Sequence, residues 1–139
     1  MRILAIDLGD VRTGLAVSDP TGTLTGEAWV ITDRNHDRLA ETILQAATER
    51  GVGHLVLGYP KNMDGTLGPR AEKSQEFQAK LEELGDLPVT LWDERRTTWE
   101  AEGILINAGK RGKKKKETVD AVAASLILEG FLRKRANGV

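Results

Sequence analysis

This 139-residue chain is predicted to be an α/β protein built on a mixed five-stranded sheet flanked by helices. Two features of the sequence predict it. Three strand-like segments follow one another at the N-terminus with only a few turn residues between them, which permits only antiparallel neighbours. After residue 39 the pattern changes: segments of helical period alternate with short apolar runs, the arrangement that returns strands parallel to the first.

The first strand, about Arg2 to Leu8, is apolar at consecutive positions and so is expected to be buried on both faces. The next two, Thr13 to Ser18 and Thr23 to Ile31, are joined by the turn Asp19-Pro20-Thr21-Gly22. Leu39, Ile43, Ala46, Ala47 and Arg50 recur at helical spacing, and Gly51 stands where a C-terminal cap belongs. His54 to Gly58 reads as a short buried strand. Pro69 opens a second helix with an apolar stripe of Phe77, Leu81 and Leu84, stopped at Gly85 to Pro88. Val89 to Glu94 is the fifth strand. A third helix is expected from the capping-box spacing Thr97 to Glu100 through Ala108. Gly109 to Lys116 is expected to be a mobile loop. The last helix, about Thr118 to Lys134, has a stripe of Val119, Val122, Ala123, Leu126, Ile127, Gly130 and Phe131. No linker or repeat divides the chain, so residues 1–139 are read as one domain.

The absence of cysteine excludes disulfides, thiolate metal sites and cysteine nucleophiles. No signal-peptide pattern and no apolar run of membrane-spanning length occur, so a cytoplasmic protein is expected. The net charge is −1, a poor average for binding nucleic acid. The average conceals its distribution: Lys110, Arg111, Lys113, Lys114, Lys115 and Lys116 form one basic segment on an otherwise acidic chain.

Carboxylates fall at three matching places. Asp7 ends the first strand, Asp93 and Glu94 end the last, and Asp120 is expected in the first turn of the final helix. Each has an ordinary reading, Asp7 as a turn-capping residue and Asp120 as an acid favoured by the helix dipole. Together they offer the oxygen ligands that Mg²⁺ or Mn²⁺ requires for phosphodiester cleavage. His36 and His54 lie in no recognisable nucleophile motif and are read as structural, one in a loop and one at a strand start.

Asp7-Leu8-Gly9 with Arg12-Thr13-Gly14, then Gly58 to Thr66, Asp93-Glu94-Arg95-Arg96-Thr97-Thr98, and Val119 to Ala124 resemble the motifs of the YqgF/RuvX family in order and across nearly the whole chain. The resemblance implies an RNase H-like fold, similarity to Holliday-junction resolvases, and metal-dependent nuclease activity, with trimming of precursor 16S ribosomal RNA described among members. By the matching motifs, Asp7, Glu94 and Asp120 become the catalytic metal ligands. Asp93 competes with Glu94, because successive strand residues point to opposite faces. Lys61, Asn62 and Arg70 are placed to hold a phosphate backbone, and Arg95 and Arg96 to bind phosphate or to pair with the acids. Lys113, Lys114, Lys115 and Lys116, in the expected loop, would hold substrate phosphates near Asp120. Junction resolution needs two active sites, which leaves room for a homodimer. Two other readings stand beside the nuclease: a non-catalytic RNA-binding or ribosome-assembly factor, and an ATP-binding half-domain of the actin and hexokinase type, suggested by Asp7-Leu8-Gly9 with Thr13-Gly14.

Overall fold

A computed structural model describes residues 1–59, 68–93 and 112–136; the side chains of Arg70 and of residues 112–120 are outside the description. The elements are β1 (Arg2–Asp7), β2 (Arg12–Ser18), β3 (Thr25–Thr32), α1 (His36–Glu49), β4 (Val52–Tyr59), α2 (Pro69–Leu84), β5 (Val89–Asp93) and α3 (Gly112–Ala136). The strands make a five-stranded sheet in the order β3-β2-β1-β4-β5. β1 pairs antiparallel with β2 and parallel with β4, and β4 pairs parallel with β5. The predicted meander and parallel returns are both present.

Alternation along the strands builds a core on each face of the sheet. Leu4, Ile6, Leu15, Leu55 and Leu57 pack against Leu39 and Ile43 of α1 and Phe77 and Leu81 of α2. Ile3, Ala5, Ala16 and Val56 pack against Ala124, Ile127, Leu128 and Leu132 of α3. The residues of β1 from Ile3 to Ile6 are fully buried, as its unbroken apolar run requires. Alanines at the second interface leave room for α3 to lie close to the strands.

Local chemistry explains the boundaries. In the β2–β3 connection the Asp19 carboxylate accepts from the Thr21 hydroxyl at 2.6 Å and from the amides of Thr23 and Leu24 at 2.9 and 3.1 Å. These donors stabilise its charged form and hold its pKa down at about 2. The first helix starts earlier than its apolar period, at His36, because the Asn35 side chain caps it by accepting from the Arg38 amide at 3.0 Å. His36 therefore opens a helix and is not a loop residue.

Three further expectations are corrected by the helices. Leu84 is 52% exposed, and the buried row of α2 runs instead through Ala71, Ser74, Phe77 and Leu81. The buried row of α3 is turned by about one residue from the expected stripe, to Ala123, Ala124, Ile127, Leu128 and Leu132. The expected loop from Gly109 to Lys116 is helical from Gly112 onward, so Lys113, Lys114, Lys115 and Lys116 are residues of α3 and not of a loop. Lysine is a good helix former, and a helix turn with no apolar anchor is stable once the turns after it are packed. The predicted helix from Thr97 to Ala108 lies outside the described residues.

Candidate metal and nucleic-acid site

β1, β4 and β5 run parallel, so their C-terminal ends share one edge of the sheet, the edge where open α/β sheets bind ligands. Asp7 is the last residue of β1 and is half-buried there. It belongs to the odd positions of that strand, with Ile3 and Ala5, which face α3. Asp93 ends β5 opposite Tyr59, but its parity is that of Val89 and Leu91, which face α1 and α2. Asp7 and Asp93 thus belong to opposite faces of the sheet. Glu94 lies outside the described residues, as do Lys61, Asn62, Arg95 and Arg96.

α3 crosses the face to which Asp7 belongs. Its C-terminal half lies toward the N-terminal end of β1: Phe131 is 5.6 Å from His54, the strand partner of Ile3, and a Cβ on Gly22 would lie near both Met1 and Arg135. Followed backwards, the row Leu132, Leu128, Ala124 leads through position 120 toward the opposite edge, where Asp7 stands. Position 120 is the ninth residue of α3 and not in its first turn, as expected from the sequence. The dipole effect fades within one turn, so it gives no account of an acid there. Lys113, Lys114, Lys115 and Lys116 are the second to fifth residues of the same helix, and Arg70 is the second residue of α2.

The turn after Asp7 is held from several directions. The Gly9 amide donates to the buried Thr13 hydroxyl at 3.3 Å. His36 Nε2 lies 3.1 Å from the Gly9 carbonyl oxygen, which can only accept, so this nitrogen carries the proton. The His36 ring is itself set edge-on against Phe77, with centroids 5.7 Å apart. Lys73 Nζ from α2 reaches Asp10 at 2.9 Å. Sequence reasoning reads His36 as structural, which is correct for its bond but misses what it supports; Lys73 is missed altogether. His54, the other histidine, is tied to Thr90 at 2.7 Å, and burial, with Arg135 nearby, lowers its pKa.

His36→Phe is expected to keep the packing on Phe77 and lose the bond to Gly9. Turnover should fall roughly three- to tenfold, since the turn that follows Asp7 loses a support and the carboxylate at the end of β1 shifts with it. His36→Gln, which retains a donor, should recover part of the loss. Steady-state kinetics on a structured RNA checks both.

The RuvX family model, described as Holliday junction resolvase, matches residues 1–134. The chain belongs to the RuvX family. Among curated relatives of this RuvX protein, one from Lachnospira eligens is 43% identical over 138 residues, covering 97% of this chain and 99% of the relative. One from Geobacillus thermodenitrificans is 46% identical over 134 residues, covering 95% and 97%. Both are named as proposed pre-16S rRNA nucleases. The RuvX fold is similar to that of Thermus thermophilus RuvC in complex with a Holliday junction substrate, with a TM-score of 0.62 at 14% identity, covering 99% of this chain and 96% of that one. It is also similar to fowlpox virus resolvase in complex with Holliday junction DNA, with a TM-score of 0.60 at 12% identity and coverage of 97% and 99%. These solved structures show the RNase H-like fold.

Asp7 is the one proposed ligand whose side chain is described, so the fit of a cation rests on it. A half-buried carboxylate at a strand end, in a chain whose proposed ligands are all oxygen donors, suits Mg²⁺ or Mn²⁺ and not a thiophilic ion. Among the described residues no three His, Asp or Glu side chains form a metal-holding group.

Proposed function

We propose that this RuvX-family nuclease cleaves phosphodiester bonds in structured nucleic acid, with Mg²⁺ or Mn²⁺ held by Asp7, Glu94 and Asp120. The observation that carries the reading is Asp7: it ends β1 on the side that faces α3, and the buried row of that helix leads through position 120 toward the same edge. Alternation supports Glu94 over Asp93, because Asp93 has the parity of the α1 and α2 face. A bound divalent cation would polarise the scissile phosphate and help generate the attacking hydroxide. The chain's own part is to fix the carboxylate geometry through the Gly9 turn and to bind the strand.

The names of the curated relatives support precursor 16S ribosomal RNA as substrate in this chain too, with its 5′ end as the proposed place of cleavage, and the family description supports branched DNA. Lys61, Asn62, Arg70, Arg95 and Arg96 are the proposed backbone contacts, with Lys113, Lys114, Lys115 and Lys116 of α3. Four lysines and no acid at the start of a helix oppose the helix dipole. Phosphate bound there would relieve both the mutual repulsion and the dipole conflict. A homodimer would supply the two sites that symmetric junction cleavage needs, and the reading places the protein in the cytoplasm. No helix among the described residues is long and apolar enough to cross a membrane. The family match favours the nuclease over the ATP-binding half-domain.

The test is cleavage of an RNA carrying the 16S 5′ leader, and of a four-way DNA junction, with Mg²⁺ or Mn²⁺ and with excess chelator. Metal-dependent cuts are expected, and loss of all turnover in chelator. Unchanged turnover in chelator would overturn the metal mechanism, whereas binding without cleavage in any metal would favour a non-catalytic assembly factor.

A further inference from the structure

On the face of the sheet opposite α3, a groove of about 380 Å³ opens at the same edge as Asp7, between the turn after β1, the start of α1 and the body of α2. Arg34, Lys73 and Lys80 line it, with Phe77 and His36 between them. None of these cations is explained by the site already described except Lys73, which also meets Asp10. On α2, positions 73, 77 and 80 fall on one side of the helix, so Lys73 and Lys80 mark a basic stripe about 10 Å long. The stripe begins where Lys73 meets Asp10 in the turn after β1 and runs away from the Asp7 edge. Arg34 faces it across the groove.

Acids lie in the same place and set the condition for any ligand. Lys73 is paired with Asp10 at 2.9 Å and Lys80 with Asp37 at 2.6 Å, and Glu76 also lines the groove. Both ion pairs are open to water: the side chains are 51% and 75% exposed in the first and 38% and 80% in the second. Exposed pairs contribute little net stability, and an ammonium with three donors can keep its carboxylate and still donate to a phosphate oxygen. The acids therefore orient the lysines without consuming them. Asp10 and Glu76 also disfavour a small free anion, which would meet them at close range, relative to a strand whose successive phosphates reach several cations at once.

We propose that this groove is a track for the phosphate backbone of the substrate strand, held by Arg34, Lys73 and Lys80 on the face opposite α3 as the strand leaves the Asp7 edge. The inference rests on the nuclease reading and extends it: the strand would be gripped on both faces of the sheet, by the lysines of α3 on one side of the cut and by the groove on the other. Cations spaced along a helix suit phosphates, so the contact is expected to depend little on sequence.

The test measures dissociation constants against salt for full-length Asp7→Asn protein, expected to bind without cutting, using a fluorescein-labelled stem-loop RNA with a single-stranded 5′ extension. The same measurement is made with Arg34→Gln/Lys80→Gln added, and with Arg133→Gln/Lys134→Gln, which removes equal charge from the far end of α3. The groove variant is expected to bind about tenfold more weakly near 0.1 M salt, with a log–log salt slope flatter by up to about two units, while the far-end variant follows its parent. Lys73→Gln alone reads the same track should the double variant unfold. Superimposed lines for groove variant and parent, or equal losses in the two double variants, would overturn the track. Cleavage by the wild-type protein in the same buffers reports separately on the nuclease reading, which can stand when the track falls.

Discussion

Asp7→Asn is expected to lower turnover of structured RNA by at least about 10³-fold while leaving the chain folded. On the proposed metal mechanism, a cation contributing several kcal/mol of transition-state stabilisation would be lost with its ligand, and each 1.36 kcal/mol is about a factor of ten in rate. The substitution is nearly isosteric at a half-buried position and, on that mechanism, would relieve repulsion among the proposed ligands, so the thermal midpoint should stay close to that of the wild type. Glu94→Gln and Asp120→Asn should act in the same way. Asp93→Asn should cost far less, because Asp93 belongs to the face of the sheet away from Asp7. Single-turnover rates at saturating enzyme, beside melting curves, separate these cases. An inactive Asp93→Asn with an active Glu94→Gln would reverse the assignment at the end of β5.

What could be read from the sequence was what local pattern determines. The meander followed from the short connections before residue 25, and the parallel returns of β4 and β5 from helical spacing between apolar runs. Asp7 stands out only beside the acids at the end of β5 and at position 120, since alone it reads equally well as a turn cap. The start of α3 was misread because a run of lysines, Lys113, Lys114, Lys115 and Lys116, looks like a solvated loop; its backbone is decided by the packing of Ala124, Ile127 and Leu128 further on. That error also misplaced Asp120, which sits deeper in the helix and so loses its dipole explanation. The supports of the Asp7 turn were hidden for another reason. His36 meets Gly9 across 27 residues and Lys73 meets Asp10 across 63, pairings that only the assembled fold creates. The basic groove was missed likewise, since Arg34 lies in the connection between β3 and α1 and Lys80 in α2.

Gly9→Ala is expected to destabilise the protein by about 2–4 kcal/mol and to reduce turnover more than His36→Phe does. A Cβ at residue 9 would collide with the Arg12 carbonyl oxygen and stand 3.1 Å from its carbon. These are backbone atoms that cannot rotate aside, so the turn itself must open, the kind of overpacking that costs the upper end of what core insertions do. Opening it withdraws the Gly9 amide from Thr13, moves the carbonyl that His36 holds, and strains the pairing of Asp7 with Gly14. Fold and site therefore fail together, because one close approach serves both. Gly51 is the control: it has φ of +68° but open space around the position of a Cβ. Gly51→Ala should cost only the roughly 1–2 kcal/mol of a left-handed residue and leave kcat unchanged, since that turn lies between α1 and β4 and not beside Asp7. Thermal midpoints should fall by roughly 2–4 °C per kcal/mol in both variants. The deciding quantity is kcat measured well below each midpoint: equal kcat for Gly9→Ala and Gly51→Ala would mean that the Asp7 turn yields without moving its carboxylate.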